Sequence, residues 1–163
     1  ELGCDPSFMR FSAGNRYHSH ALAGGLGWGM PAALGASLAD RNQLTVACVG
    51  DGSYMFANPV ACHQIAEAHD LPLLTVVFNN GVWNAVRKTT LMMYPDGNAS
   101  RANTIPLSSL APVPDFTMVA AASRGWSRRV EKGADLSGAV MEAIDIVTRE
   151  KRQALLEVIV SPS

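Results

Sequence analysis

The sequence has little charge and few aromatic side chains. Charged residues make up 17% of the 163 residues, aromatic residues make up 7%, and the formal net charge is −1. A chain this close to neutral lacks the strongly basic surface that binding to nucleic acid needs. We therefore predict no nucleic-acid partner.

Long hydrophobic runs and paired cysteines are also missing. The longest clean apolar stretch, residues 71–78, is far too short to span a bilayer, so we predict no membrane partner. The three cysteines Cys4, Cys48 and Cys62 form no C-x-x-C pair, which is typical of reduced thiols in a cytoplasmic protein. We expect Cys48 and Cys62 to pack as small apolar residues.

Buried strands alternate with helical patterns along the chain. Nearly half of the residues are apolar, enough for one domain with a core. The strands are predicted at 44–49, 71–78, 126–130 and 155–160, and the helices at 31–39, 59–69, 83–92, 116–124 and 136–149. This order predicts an α/β fold, a parallel sheet flanked by helices on both faces, with a long loop over residues 94–115.

Polar loops follow the first two predicted strands. Gly50-Asp51-Gly52 follows the first, and Asn79-Asn80-Gly81 follows the second. Because parallel strands end at the same edge of a sheet, we expect the two loops to converge where ligands bind in such folds. Asp and Asn supply the hard oxygen ligands that Mg²⁺ prefers. The pair of loops therefore predicts a metal site.

Each loop has a simpler interpretation when it is taken alone. Asp51-Gly52 is a common turn signal, and Asn80-Gly81 is a strong hairpin signal. A hairpin needs a strand afterwards, however, and residues 82–90 lack the alternation of a strand. We expect a short helix there, which favours the shared site over the hairpin.

On these motifs, the sequence resembles the C-terminal cofactor-binding domain of thiamine-diphosphate-dependent enzymes. The Gly-Asp-Gly at 50–52 and the Asn-Asn at 79–80 match the family motif. The segment GGLGWGMPAALGASLA at 24–39 is similar to the stretch that precedes the motif in the benzoylformate decarboxylase and acetolactate synthase branch. The resemblance covers residues 24–160 and implies the thiamine-diphosphate-binding fold.

The resemblance implies a metal centre and a diphosphate site. The side chains of Asp51 and Asn80 and the backbone carbonyl of Val82 would coordinate Mg²⁺. Gly52 and Ser53 would contact the diphosphate of thiamine diphosphate, and backbone N–H groups there suit an anion.

The same resemblance assigns the glycine-rich stretch to the rest of the cofactor. The carbonyl of Gly24 would accept from the 4′-amino group, and Leu26 would hold the two rings in their bent form. Gly25 and Gly50 would leave room for the cofactor against the backbone.

The substrate side is less marked in the sequence. His20 lies just before the glycine-rich stretch and is a candidate substrate contact, and Ala85 and Thr89 are candidates on the helix after Asn80. Ordinary helix packing is the alternative for Ala85 and Thr89. The His18-x-His20 pair has too few ligands to indicate zinc.

The resemblance implies a 2-keto-acid decarboxylase or an acetolactate synthase-like carboligase. The activating glutamate of this family comes from a pyrimidine-binding domain, and no match to its motif is present. We therefore expect residues 1–163 to be one cofactor-binding domain of a larger enzyme. That enzyme is expected to be a homodimer or homotetramer, completed by a pyrimidine-binding domain of the same or a neighbouring chain, and the chain alone is expected to be inactive.

Two other functions stay open. Residues 27–32 match G-x-G-x-x-A, the fingerprint of an NAD-dependent oxidoreductase, although that motif should follow a strand. A non-catalytic regulatory or assembly module with the same fold is the second alternative.

Overall fold

The computed structural model describes residues 10, 17–19, 25–102 and 108–161. Four strands and seven helices lie in this part of the chain. In chain order they are α1 Gly29–Ala39, β1 Thr45–Gly50, α2 Asp51–Phe56, α3 Pro59–Ala68, β2 Leu73–Asn79, α4 Asn84–Met93, α5 Asn98–Arg101, α6 Phe116–Ala121, β3 Trp126–Val130, α7 Gly133–Arg149 and β4 Ala154–Ile159. None of these helices is long and apolar enough to cross a membrane.

All strand pairs of the sheet are parallel. The strand order is β1-β2-β4-β3, so that β4, the latest strand in the chain, lies between β2 and β3. The carboxyl ends of the strands therefore share one edge. The predicted α/β fold with a parallel sheet is confirmed.

Helices cover both faces of the sheet, as predicted. On one face α1, α2, α3 and α6 enclose a core that includes Tyr54 and Phe116. On the other face α7 packs against β2, β3 and β4. Its buried residues Ala139, Ala143 and Val147 recur every four positions and form one apolar stripe.

The start of α2 differs from the prediction. We expected a loop at 50–52, but the chain turns from β1 directly into α2, which begins at Asp51. Asp is favoured both in turns and in the first turn of a helix, so the residue type alone does not separate the two. Asn58 precedes Pro59 as predicted, yet its backbone is left-handed, with φ of 54°, and its side chain makes no capping bond.

One face of β1 also differs from the prediction of a fully buried strand. Val46 and Cys48 are exposed, because α7 covers the neighbouring strands on that face. The expectation that Cys48 packs as a small apolar residue is therefore wrong. Cys62 is buried as expected, and its Sγ donates to the carbonyl of Ala57 at 3.1 Å.

A buried polar chain ties α2 and α3 to the start of β4. Tyr54 Oη lies 2.7 Å from His63 Nε2, and His63 Nδ1 lies 2.7 Å from Gln153 Oε1. The Nε2 group of Gln153 donates to the carbonyls of His63 and Ser123, so Oε1 is its acceptor. Hence His63 carries its proton on Nδ1 and accepts from Tyr54 on Nε2.

Burial keeps the side chains of Tyr54 and His63 uncharged. It lowers the pKa of His63 below its usual 6.5, although the hydrogen bond to Gln153 opposes the shift. It also raises the pKa of Tyr54, which therefore remains a donor. The folded protein holds His63 as the neutral imidazole, whereas the unfolded chain takes up a proton below pH 6.5.

We predict that this histidine makes the protein less stable in mild acid. Because the pKa of His63 is lower in the folded protein, its stabilising contribution is complete above the unfolded-state pKa. This contribution is lost as the pH falls through the folded-state pKa. As the pH falls below the unfolded-state value of 6.5, the free energy of unfolding should fall by up to about 1.4 kcal/mol per pH unit because of His63. In His63→Gln that part of the slope should be missing, measured by urea denaturation at each pH.

His69→Gln is the matched control. His69 follows α3 and is exposed, so its removal should leave the slope of the wild-type protein unchanged. Equal slopes for His63→Gln and the wild-type protein would show that His63 does not couple folding to pH.

Candidate functional site

Asp51 joins the two loops at the carboxyl edge of the sheet. Its side chain is buried, with 4% exposure, at the point where β1 meets α2. Its Oδ2 accepts from the N–H of Gly81 at 2.8 Å and from the N–H of Asn80 at 3.2 Å. Its Oδ1 accepts from Gly52 at 2.8 Å. The predicted convergence of the two loops is thus confirmed.

The other two predicted metal ligands, Asn80 and Val82, lie in the loop that follows β2 and contacts Asp51. Asn80 Oδ1 accepts from the N–H of Val82 at 3.0 Å, and the carbonyl of Val82 accepts from Asn84 at 2.8 Å. The oxygens of a carboxylate, a carboxamide and a backbone carbonyl are all hard metal ligands. Each of these oxygens has two lone pairs, so it can bind a cation while it accepts a hydrogen bond. This donor set fits Mg²⁺, with Asp51, Asn80 and Val82 as the residues that could hold it.

The three predicted metal ligands include one carboxylate, that of Asp51. The structure brings together no group of three His, Cys, Asp or Glu side chains within the ranges it describes. A cation at Asp51 would therefore keep most of its positive charge for an anionic ligand. That balance suits a phosphate-bearing cofactor better than a closed protein site.

The segment 108–110 fixes the loop after Asn80 from outside. The N–H of Trp83 donates to the carbonyl of Ser108 at 2.7 Å, and the N–H of Leu110 donates to the carbonyl of Gly81 at 2.9 Å. Val82 and Ser109 form an antiparallel bridge between these bonds. The predicted long loop therefore carries the short helix α5 and a stretch that belongs to the site.

Two glycines let chain segments approach α2 closely. Gly27 has a φ of +91°, and a Cβ there would lie 2.6 Å from the carbonyl carbon of Phe56. Its N–H donates to Ser53 Oγ at 3.2 Å, so the glycine-rich stretch contacts α2. At Gly52 a Cβ would lie 2.6 Å from Cε3 of Trp83. The indole ring of Trp83 thus lies directly against Gly52, one of the two residues predicted to contact the diphosphate.

Trp83 is a packing residue beside the site, which is the role that the sequence predicts for it. Its ring lies against Gly52 and meets Phe56 edge to face, with centroids 5.5 Å apart. The only signal in the sequence is its distance of three residues from Asn80. A tryptophan at that distance is also common in ordinary packing.

Glu157 is a residue near the site that the sequence patterns did not indicate. It lies in β4 with 0% exposure, and its Oε1 accepts from Asn79 Nδ2 at 2.7 Å. Burial raises the pKa of the carboxyl group, while the bond from Asn79 opposes the shift. A single charged residue within the apolar run 154–160 was the available signal, because buried carboxylates are rare and need partners.

The remaining predicted residues are more exposed or lie outside the described ranges. Leu26 is half exposed, and Gly25 has open space where a Cβ would lie. Ala85 and Thr89 are exposed on α4, so helix packing does not account for them. His20 and Gly24 lie outside the described residues.

The comparison with protein families agrees with this geometry. Residues 1–158 match the family described as "Thiamine pyrophosphate enzyme, C-terminal TPP binding domain". The chain belongs to this family. The resemblance drawn from the two motifs is thereby confirmed, and the domain is the cofactor-binding domain of a thiamine-diphosphate-dependent enzyme family.

Relatives of known function include acyl transferases and synthases. Sulfoacetaldehyde acetyltransferase of Alcaligenes xylosoxydans xylosoxydans is 24% identical over 93% of this chain and 24% of its own length. Chloroplastic acetolactate synthase of Arabidopsis thaliana is 30% identical over 85% of this chain and 20% of its own length. The chain thus spans a quarter or less of these curated relatives.

Solved structures share the fold. The thiamine diphosphate-dependent 4-hydroxybenzoylformate decarboxylase of Rhodococcus jostii RHA1 aligns with a TM-score of 0.71 at 24% identity, over 85% of this chain and 24% of that protein. Benzoylformate decarboxylase from Polynucleobacter necessarius aligns with a TM-score of 0.70 at 25% identity, over 86% of this chain and 25% of that protein.

We predict that Gly52→Ala lowers stability because its Cβ displaces Trp83. The loss in the free energy of unfolding should be about 1–3 kcal/mol, as for other overpacked sites. Denaturation in urea measures it. Adding Trp83→Leu to Gly52→Ala should recover part of the loss, because the smaller side chain makes room.

Gly138→Ala is the control for this substitution. Gly138 lies in α7 with no atom within 4 Å of an added Cβ, so alanine should raise the free energy of unfolding by about 0.5–1 kcal/mol. A Gly52→Ala protein as stable as the wild-type protein would contradict the contact with Trp83.

Proposed function

We propose that the chain binds the diphosphate of thiamine diphosphate through Mg²⁺, as part of a decarboxylase or carboligase that acts on 2-keto acids. The observation that carries the proposal is the convergence on Asp51 of the loops after β1 and β2. The diphosphate and the buried carboxylate of Asp51 are both negative, so a cation is needed between them. The neutral oxygens of Asn80 and Val82 add no further repulsion.

Different residues of the site bind the metal and the diphosphate in this proposal. Asp51, Asn80 and Val82 hold the metal, and Ser53 can donate its hydroxyl hydrogen to a phosphate oxygen while it accepts from Gly27. When bound, thiamine diphosphate supplies the electron sink for loss of CO₂ from a 2-keto acid.

The glycine-rich stretch lies on the ring side of the cofactor in this proposal. Gly24, Gly25 and Leu26 contact the cofactor beyond its diphosphate, and Gly50 leaves it room at the end of β1. The contact between Gly27 and Ser53 supports this placement, because it brings the stretch to the start of α2.

The substrate side and the partner domain lie beyond α4. No residue of α4 is buried, and its exposed side chains include Ala85, Thr89, Val86 and Met92. We assign Ala85 and Thr89, with His20, to the substrate pocket. A pyrimidine-binding domain of the same or a neighbouring chain completes the site in a cytoplasmic homodimer or homotetramer, and it supplies the activating glutamate.

An NAD-dependent oxidoreductase is the weaker alternative. The glycine fingerprint of such enzymes follows a strand, whereas the described residues before α1, at 17–19 and 25–28, form none. A non-catalytic module with the same binding site is the second alternative, and turnover separates it from an enzyme.

Calorimetry of the assembled protein that contains the chain tests the proposal. Thiamine diphosphate should bind in the presence of Mg²⁺, and NAD should not. Asp51→Ala should weaken this binding by more than about tenfold and abolish its dependence on Mg²⁺, because the carboxylate ligand is gone.

Asp145→Ala is the control variant. Asp145 lies in α7 and pairs with Arg149 on the exposed surface, so its loss should leave the affinity unchanged. Absent or Mg²⁺-independent binding of thiamine diphosphate to the wild-type assembly would overturn the proposal. Binding without release of CO₂ from any 2-keto acid would assign the chain to a non-catalytic module.

A further inference from the structure

Glu157 is a carboxylate in an apolar setting. Its side chain has 0% exposure and stands in β4, opposite Val77 of β2. Arg129 Nη1 approaches Oε1 only to 3.6 Å, and that arginine is 44% exposed and also pairs with Glu131. Among the described residues Oε2 has no hydrogen-bond partner. A buried carboxylate with so little compensation is not explained by stability alone.

Among the described residues, the hydrogen-bond partner of Glu157 is Asn79, the last residue of β2. Asn79 is buried as well, with 4% exposure, and its two amide atoms face different groups. Nδ2 donates to Glu157 Oε1 at 2.7 Å, and Oδ1 accepts from the N–H of Gly81 at 3.0 Å. A carboxylate can only accept here, so it fixes which end of the amide faces Gly81.

The N–H of Gly81 carries this orientation into the metal site. It is shared between Asn79 Oδ1 and Asp51 Oδ2, which lie 3.0 Å and 2.8 Å away. Gly81 has a φ of +70°, so the chain turns sharply between Asn80 and Val82. A continuous series of contacts therefore runs from Glu157 through Asn79 and Gly81 to Asp51.

We propose that Glu157 is a positioning residue for the loop 79–82. Acting through Asn79, it holds the N–H of Gly81 against Asp51 and so presets the oxygens of Asn80 and Val82. The identity of the ligand of these oxygens, Mg²⁺, rests on the proposed function. The positioning itself is a property of the protein without ligand.

Hydrogen exchange of the ligand-free protein tests the positioning directly. In Glu157→Leu the Nδ2 group of Asn79 loses its acceptor, and the amide of Gly81 should exchange at least about tenfold faster than in the wild-type protein. The amide of Val130 in β3 is the reference outside the loop, and the acceleration at Gly81 should exceed any change there.

Two further variants separate positioning from a merely structural role. Glu157→Gln keeps an acceptor oxygen and should restore slow exchange at Gly81. Thr75→Val removes another buried polar atom from the same face of the sheet, one without a hydrogen-bond partner among the described residues, and should leave Gly81 unaffected.

A double-mutant cycle tests the route through Asn79. Asn79→Ala should accelerate exchange at Gly81 at least as much as Glu157→Leu does, because it also removes the Oδ1 acceptor, and adding Glu157→Leu to Asn79→Ala should have no further effect. If Glu157→Leu fails to fold, Glu157→Met, which also lacks an acceptor oxygen, takes its place in the cycle. Unchanged exchange at Gly81, acceleration equal to that of Val130, or additive effects would overturn the positioning role.

Binding by the assembled protein gives the second readout. Glu157→Leu should weaken Mg²⁺-dependent binding of thiamine diphosphate by at least about tenfold, with recovery in Glu157→Gln. If the wild-type assembly does not bind thiamine diphosphate, the proposed function fails, and the exchange experiment still decides the role of Glu157. If it binds and Glu157→Leu binds equally well, the positioning proposal fails alone.

Discussion

The site depends on the two hydrogen bonds that the Asp51 carboxylate accepts from the backbone N–H groups of Asn80 and Gly81. They connect the end of β1 to the end of β2, and they set where Asn80 and Val82 present their oxygens. The segment 108–110 then attaches to the same loop through backbone bonds. Because Asp51 is also the first residue of α2, a single side chain aligns two strand ends and a helix.

The fold and the two motifs could be predicted because they are local patterns. Buried apolar runs, Pro59 at a helix start and the polar triplets after β1 and β2 are all visible without knowledge of tertiary contacts. The start of α2 could not be predicted from residue type, because Asp51 suits a turn and a helix start equally. The exposed face of β1 depends on where α7 lies, which no pattern within β1 records.

The side-chain contacts that support the site could not be predicted, for a different reason. Trp83 matters because its ring meets Gly52, and Glu157 matters because it meets Asn79. Both contacts are formed by side chains whose partners become neighbours only in the folded chain. Spacing rules find the residues that a shared edge brings together, but they do not find the side chains that support those residues from the core.

The position of β4 has a consequence for how the molecule folds. This strand is the latest in the chain but occupies the middle of the sheet, between β2 and β3. Its contacts close very long loops: Glu157 lies 78 positions after Asn79, and Gln153, just before β4, lies 90 positions after His63. Such high contact order slows folding, since the entropy of loop closure is lost before the contacts form. Completion of the sheet and support of Asn79 from the core therefore depend on the same strand, β4.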